Sequence, residues 1–148
     1  VFSAANYSLG VAVLTDLVAR AARALGPAFD MEVFEIHHRH KIDAPSGTAL
    51  HLAEAAATAR DLPWPDASRA RHGITAPRGD DEVGLAALRG GAVTGEHTVY
   101  FFGAAERLEL THRAADRDVF AHGAFRAARW VVDQPPGRYD MEALLATI

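Results

Sequence analysis

The chain has 148 residues, of which 49% are hydrophobic and 23% charged, and its formal net charge is −4. This composition is typical of one globular domain with a sizeable core, and it disfavours intrinsic disorder and a nucleic-acid partner. The absence of cysteine excludes disulfides and thiolate metal sites, and no apolar run has the length of a membrane helix.

Hydrophobic periodicity predicts helices and strands in mixed order along the chain. The order is helix, strand, helix, aperiodic loop, three strands and two helices. These elements are predicted at residues 8–25, 29–38, 47–61, 64–81, 83–87, 96–102, 107–114, 117–132 and from 140. Asn6 or Ser8 can cap the first helix, and Ser46 is predicted to cap the second.

The element order predicts an α+β fold with an open, mixed, mostly antiparallel sheet and helices packed on one face. Short connections predict that the last three strands form an antiparallel meander. The other face of such a sheet needs cover, which oligomerisation can supply.

Lys41 is the only lysine in the chain, and it lies in the densest run of polar chemistry, residues 35–49. Arginine stays protonated at working pH, whereas a lysine can release its proton when burial lowers its pKa. The position therefore favours a proton-transfer role. A chance leftover of an arginine-biased composition is the alternative.

Three histidines, His37, His38 and His40, directly precede Lys41. Successive strand residues point to opposite faces, so only one of His37 and His38 is expected to share a pocket with Lys41 unless the chain kinks. The histidines lack the spacing of a metalloprotease helix, and no carboxylate or thiolate completes a zinc set, so no metal site is predicted. Surface histidines at a strand end are the alternative.

The segment Ser46-Gly47-Thr48 opens a predicted helix just after a proline. Free backbone N–H groups and the positive end of the helix dipole favour an anion there, and plain helix capping is the alternative. Together with Lys41, this turn predicts a pocket for a carboxylate or phosphate, with imidazole and ammonium groups for acid/base chemistry.

The run from Glu35 to Ala49, Glu-Ile-His-His-Arg-His-Lys-Ile-Asp-Ala-Pro-Ser-Gly-Thr-Ala, closely resembles the defining motif of 4-hydroxy-tetrahydrodipicolinate reductase, historically dihydrodipicolinate reductase. Similar stretches to that family occur along nearly the whole chain. They lie at residues 4–10, 89–91, 95–99, 106–114 and 120–124.

The resemblance implies a cytoplasmic enzyme of lysine and diaminopimelate biosynthesis that reduces 4-hydroxy-tetrahydrodipicolinate to tetrahydrodipicolinate with NADH or NADPH. It implies that His37 is the acid/base group and that Lys41 is its proton-donating partner. The implied substrate-binding residues are His38, Lys41, Ser46, Gly47 and Thr48. The implied cofactor contacts are Ala4, Ala5, Asn6 and Tyr7. The resemblance also implies a homotetramer built through the sheet, with no nucleic-acid or membrane partner.

The family carries a dinucleotide-binding domain ahead of the matching segment, but no Gly-x-Gly-x-x-Gly occurs here. We therefore expect 1–7 to be a hinge from an N-terminal dinucleotide-binding domain and 8–116 to be the substrate-binding and oligomerisation domain. Residues 117–148 are expected to be C-terminal helices that in the family return to the nucleotide domain. On this interpretation the fragment alone has little or no turnover. The alternatives are a stand-alone dicarboxylate-binding or assembly module, and a metal-dependent hydrolase that uses the histidines.

Overall fold

The computed structural model, which describes residues 1–147, is built from helices and strands in the predicted order. The helices are α1 (Leu9–Leu25), α2 (Gly47–Thr58), α3 (Asp118–Val131) and α4 (Met141–Leu145). The strands are β1 (Asp30–His37), β2 (Ser68–Arg69), β3 (Val83–Arg89), β4 (Glu96–Phe102) and β5 (Arg107–Arg113). A 3-10 turn, Gly26–Ala28, follows α1.

The predicted elements all have counterparts, with small shifts of their bounds. Of the two candidates, Ser8 is the N-cap of α1, because its Oγ accepts from the Val11 N–H, while Asn6 Oδ1 accepts from the Ser8 N–H. Ser46 caps α2 as predicted. The loop predicted at 64–81 contains the short strand β2.

The strands form one mixed sheet in the order β2-β3-β1-β4-β5. The fold class is therefore confirmed. Three of the strand pairings contain seven residue pairs each, and two of these, β1 with β4 and β4 with β5, are antiparallel. The predicted meander is wrong at its first connection, because β1 lies between β3 and β4 and pairs with β3 in parallel. β1 pairs with a strand on each side and is therefore central in the sheet, and its alternate residues from Met31 to His37 are buried.

Helices α1 and α2 cover the sheet face that carries the core residues Met31, Val33 and Val99. The part of α2 that meets the strands is rich in alanine, and Ala49, Ala53, Ala56 and Ala57 are 0% exposed. Small side chains let the helix axis lie close to the strands. This packing sets the N-terminus of α2 beside the end of β1.

The opposite sheet face carries the residues that alternate with this core, among them Phe34, Ile36 and Tyr100. Leu88 and Phe102 on this face are 53% and 37% exposed. The uncovered face expected from the layer count is therefore present and is partly apolar.

The first residues of the chain pack against the C-terminal helices. Phe2 bridges to Tyr139 and its ring lies edge-on against Trp130, 6.0 Å between centroids. On the outer side of α3, Phe125 is 71% exposed. The expected return of 117–148 to a nucleotide domain stays a prediction. Within residues 1–147, no helix is long and apolar enough to cross a bilayer.

Candidate functional site

A cleft of about 380 Å³ lies where β1 ends and α2 begins. It is bordered by residues 5–7, the end of β1 with the turn after it, the N-terminus of α2, and residues of β4 and β5. All six residues predicted for catalysis or substrate binding line it, namely His37, His38, Lys41, Ser46, Gly47 and Thr48.

Glu35, which is 0% exposed, is the centre of the hydrogen-bond network behind this cleft. One carboxylate oxygen, Oε2, lies 2.6 Å from His37 Nδ1, and the other, Oε1, accepts from the backbone N–H of Ser46 at 2.9 Å. The Arg89 guanidinium donates to both oxygens at 2.7 Å. One buried carboxylate therefore holds an imidazole and a helix N-terminus in a fixed relation.

The ion pair with Arg89 keeps the Glu35 carboxyl charged despite its burial. Burial alone raises the pKa of this carboxyl, but hydrogen bonds from Arg89, His37 and Ser46 outweigh it and leave the pKa below its usual value. The same bond from the Glu35 side raises the pKa of Arg89. The site thus has a buried carboxylate that is ionised at neutral pH and is hydrogen-bonded to His37.

His37 is oriented with one ring nitrogen inward and the other toward the cleft. Its Nδ1 is bound to Glu35, so Nε2 is the nitrogen available to a ligand. A Cβ at position 95 would lie 3.0 Å from Nε2, so Gly95 leaves that nitrogen accessible. This is the geometry that a histidine acid or base requires.

His38 and Lys41 reach the same cleft because the chain turns directly after β1. The Lys41 N–H donates to the His38 carbonyl at 3.1 Å, and the strand ends at His37. Both histidines therefore line the cleft with Lys41, which is the exception that the prediction allowed for a kink after the strand.

The Lys41 ammonium donates to Asp43 Oδ1 at 2.8 Å, and the lysine side chain is 21% exposed. A hydrogen bond from Lys41 lowers the pKa of Asp43. Lys41 therefore brings an ammonium donor to the rim of the cleft, where it pairs with Asp43.

The N-terminus of α2 is open toward the cleft. Ser46 Oγ accepts from the Ala49 N–H at 3.2 Å, and a Cβ at Gly47 would meet nothing within 4 Å. Thr48 Oγ1 accepts from Asn6 Nδ2 at 2.9 Å. An anion can approach these first-turn N–H groups, and Asn6 lies beside them.

The four residues implied as cofactor contacts divide between two cavities. Ala5, Asn6 and Tyr7 line the main cleft. Ala4 lines an adjoining cavity of about 170 Å³ that it shares with Thr48 and Asp140. Their contact with a cofactor stays a prediction.

Four residues that sequence reasoning assigned no role belong to the site: Glu35, Arg89, His97 and His112. Glu35 stands two places before His37 on one strand, and this spacing puts both side chains on one face, so its role had a local signal. Arg89 reaches Glu35 from the parallel partner strand, at a sequence separation of 54 residues. No local pattern indicates that contact.

His97 and His112 are paired across β4 and β5, and each contacts the serine that caps a helix. His97 Nε2 lies 3.1 Å from Ser46 Oγ, and His112 Nε2 lies 3.3 Å from Ser8 Oγ. Burial, with the nearby charge of His37, lowers the pKa of His97 to about 4. Burial also lowers the pKa of His112. His97 is therefore neutral at physiological pH.

The family model described as "Dihydrodipicolinate reductase, C-terminus" matches residues 10–145. This chain belongs to that family. The resemblance found in the motif at 35–49 is thus confirmed. In the part of the chain that the structure describes, no group of three or more His, Asp or Glu side chains is arranged to hold a metal ion.

The chain is similar to curated proteins named 4-hydroxy-tetrahydrodipicolinate reductase. It is 54% identical over 146 residues to one from Rhodopseudomonas palustris strain BisB18, covering 98% of this chain and 54% of that protein. The identity to one from Methylocella silvestris is 56% over 141 residues, covering 95% of this chain and 52% of the relative. The chain spans about half the length of the curated relatives it matches.

A dihydrodipicolinate reductase from Paenisporosarcina sp. TG-14, solved with dipicolinate bound, has a similar fold. The TM-score is 0.70 at 23% identity, and the match covers 94% of this chain and 52% of the other. At this identity the likeness supports the fold alone.

Proposed function

We propose that this chain is the substrate-binding and catalytic-residue domain of an NAD(P)H-dependent 4-hydroxy-tetrahydrodipicolinate reductase. The observation that supports this most directly is the Glu35 network. It holds the His37 imidazole and the N-terminus of α2 at one cleft that Lys41 also lines. The family membership and the names of the relatives agree with this activity.

The ligand that suits this cleft is a small dicarboxylate. The open first turn at Gly47 and Thr48, with the Ser46 and Thr48 hydroxyls, offers donors to one carboxylate. The Lys41 ammonium and the His38 imidazole on the same cleft balance the remaining negative charge. A pyridine-type dicarboxylate meets both requirements.

The 4-hydroxy substrate first loses its hydroxyl as water, which leaves a cyclic imine conjugated to a carbon–carbon double bond. Reduction of that double bond then requires a hydride at one carbon and a proton at its neighbour. A nicotinamide cofactor supplies the hydride when it is bound. His37, with Nδ1 bound to the Glu35 carboxylate, presents a proton on Nε2 to the electron-rich carbon. Lys41, as an ammonium, stabilises the developing negative charge and replaces the proton that His37 gives up.

The residues present fit the nicotinamide end of such a cofactor. The contact from Asn6 to Thr48 holds Asn6 at the rim of the cleft, where Ala5 and Tyr7 also lie. Ala4 precedes them in the adjoining cavity. We propose that most of the remaining NADH or NADPH contacts are made by a dinucleotide-binding domain that precedes this segment in the family.

We also propose that the chain forms a homotetramer through the uncovered face of its sheet. Leu88 and Phe102 on that face are partly exposed, and Tyr100 stacks on Phe102 with centroids 5.4 Å apart. Burying this surface against another copy removes apolar area from water. The size of the particle in solution, measured by light scattering, tests this part separately.

Calorimetric titration with pyridine-2,6-dicarboxylate tests the binding part of the proposal. We expect saturable binding to one site per chain. An absence of binding, both by this chain and by a version extended with the preceding domain, would contradict the assignment. Binding without turnover in the extended version would favour the stand-alone binding module instead.

Lys41→Arg in the extended version tests the proton-donor role. Arginine keeps the positive charge but does not release a proton at working pH. We expect ligand affinity to change by less than about tenfold and kcat to fall by roughly a hundredfold or more. Unchanged turnover would show that only the charge of Lys41 matters.

A further inference from the structure

His97 is the buried histidine on β4 that contacts the helix cap, and it is 4% exposed. Its Nε2 lies 3.1 Å from Ser46 Oγ, within hydrogen-bond distance. Its Nδ1 is buried and has no partner among residues 1–147. The ring is held in place by the strand and by edge-to-face contact with His37, 5.1 Å between centroids.

The contact between a neutral imidazole and a hydroxyl has two possible directions. Either Nε2–H donates to Ser46 Oγ and leaves Nδ1 as a bare acceptor, or the hydroxyl donates to Nε2 and leaves an Nδ1–H donor. In the second case that buried N–H has no acceptor. Buried donors without partners are rarer in proteins than buried acceptors without partners. The geometry therefore favours donation from Nε2–H.

This direction decides what Ser46 offers to the cleft. A hydroxyl oxygen accepts up to two hydrogen bonds and donates one. Ser46 Oγ already accepts from the Ala49 N–H at 3.2 Å as the helix cap. A second bond from His97 fills its acceptor capacity, so its own hydrogen must point to another acceptor, and Ser46 borders the cleft.

We propose that His97 is a positioning residue whose Nε2–H donates to Ser46 Oγ and thereby directs the Ser46 hydroxyl hydrogen at a carboxylate of the bound ligand. This rests on the proposed dicarboxylate function of the cleft. His97 itself touches neither the ligand nor the reacting atoms in this role. It makes Ser46 a donor, where an unconstrained hydroxyl can turn either way.

Nitrogen NMR of the wild-type chain tests the tautomer without any variant. Long-range proton–nitrogen correlation spectra distinguish a protonated from a bare ring nitrogen. We expect His97 to carry its proton on Nε2 at pH 6–8, with Nδ1 bare. A proton on Nδ1 would overturn the proposal, whatever the affinity of the cleft for dicarboxylates.

A double-mutant cycle with pyridine-2,6-dicarboxylate tests the action through Ser46. We expect Ser46→Ala to weaken binding about tenfold and His97→Leu about fivefold, and the double variant to bind no more weakly than Ser46→Ala. His97→Gln, whose amide N–H stands near the place of Nε2, should stay within about twofold of the wild type.

Additive losses in the double variant, or no rescue by His97→Gln, would show that His97 acts only through packing. If the wild type binds no dicarboxylate, the proposed function fails. The NMR measurement of the tautomer still tests the direction of the hydrogen bond between His97 and Ser46. Unfolding curves of each variant separate a loss of affinity from a loss of fold.

Discussion

Two helices of this molecule begin beside the same cleft. Their N-termini share a capping arrangement but differ in how accessible the first turn is. Each is capped by a serine, and each serine contacts a histidine of the neighbouring strands, Ser46 with His97 and Ser8 with His112. At α2, a Cβ on Gly47 would meet nothing within 4 Å. At α1, a Cβ on Gly10 would lie 2.8 Å from the His112 ring, which covers that turn.

The two N-termini also differ in what holds them. The backbone N–H of Ser46 donates to the charged, buried Glu35, whereas the backbone N–H of Ser8 donates to the neutral amide oxygen of Asn6. If the ligand binds at α2, as we propose, a serine cap and a helix dipole are not sufficient for a ligand site. The α2 terminus combines an open backbone with a rigid, charged anchor, and the α1 terminus has neither.

The largest expected contrast is in stability when the two anchors are removed. Glu35→Gln leaves the Arg89 guanidinium without its carboxylate, and we expect a loss of roughly 3–5 kcal/mol in the free energy of unfolding. Asn6→Ala removes a neutral hydrogen bond and should cost about 1 kcal/mol. Urea unfolding measures both. Equal losses would contradict the distinction, and adding Arg89→Gln to Glu35→Gln should cause little further loss.

The next contrast is in the pH dependence of stability. The pKa of His97 in the folded chain, about 4, lies below its ordinary value. At a pH between these two values, the unfolded chain therefore binds a proton that the folded chain does not. The free energy of unfolding should therefore fall by up to roughly 3 kcal/mol as the pH drops from about 6.5 to 4. Below that range, protonation of Glu35 removes further stability, because its pKa is also lowered.

His97→Gln should remove most of the loss between about pH 6.5 and 4, as measured by urea unfolding at several pH values. His112→Gln should remove a smaller part, since burial lowers the pKa of His112 in the same direction but that side chain is only half-buried. A pH profile that neither variant changes would contradict this account.

The smallest expected effect distinguishes the two termini by ligand affinity. Gly47 and Leu9 are each the first helical residue after the cap. Gly47→Val fills open space, so we expect the fold to be retained and affinity for pyridine-2,6-dicarboxylate to fall by about tenfold or more. Leu9→Val, a small packing change, should leave affinity unchanged. Calorimetry on both variants measures this, and equal affinities would place the ligand elsewhere.

Much of the fold was predictable because it depends on local periodicity. The spacing of apolar residues and the helix caps predict α1, β1 and α2, and a short connection predicts the β4–β5 hairpin. The parallel pairing of β1 with β3 was missed because the two strands are separated by 45 residues between His37 and Val83 and no turn signal specifies it.

The site was predictable where its residues are close in sequence. His37, Lys41 and Ser46-Gly47-Thr48 form one run, and the run resembles one family motif. Arg89 and His97 reach that run from β3 and β4, so only the folded chain reveals that they support it. The kink that brings His38 into the cleft likewise depends on where β1 ends.

The central claim is that a dicarboxylate binds at the N-terminus of α2 and not at that of α1. Backbone amide NMR during titration with pyridine-2,6-dicarboxylate tests this most directly. We expect saturable shifts of the Gly47 and Thr48 amides and of the His37 ring, with little change at Gly10. Shifts centred on Leu9 and Gly10 with Gly47 unmoved, or no saturable shift at either terminus, would contradict it.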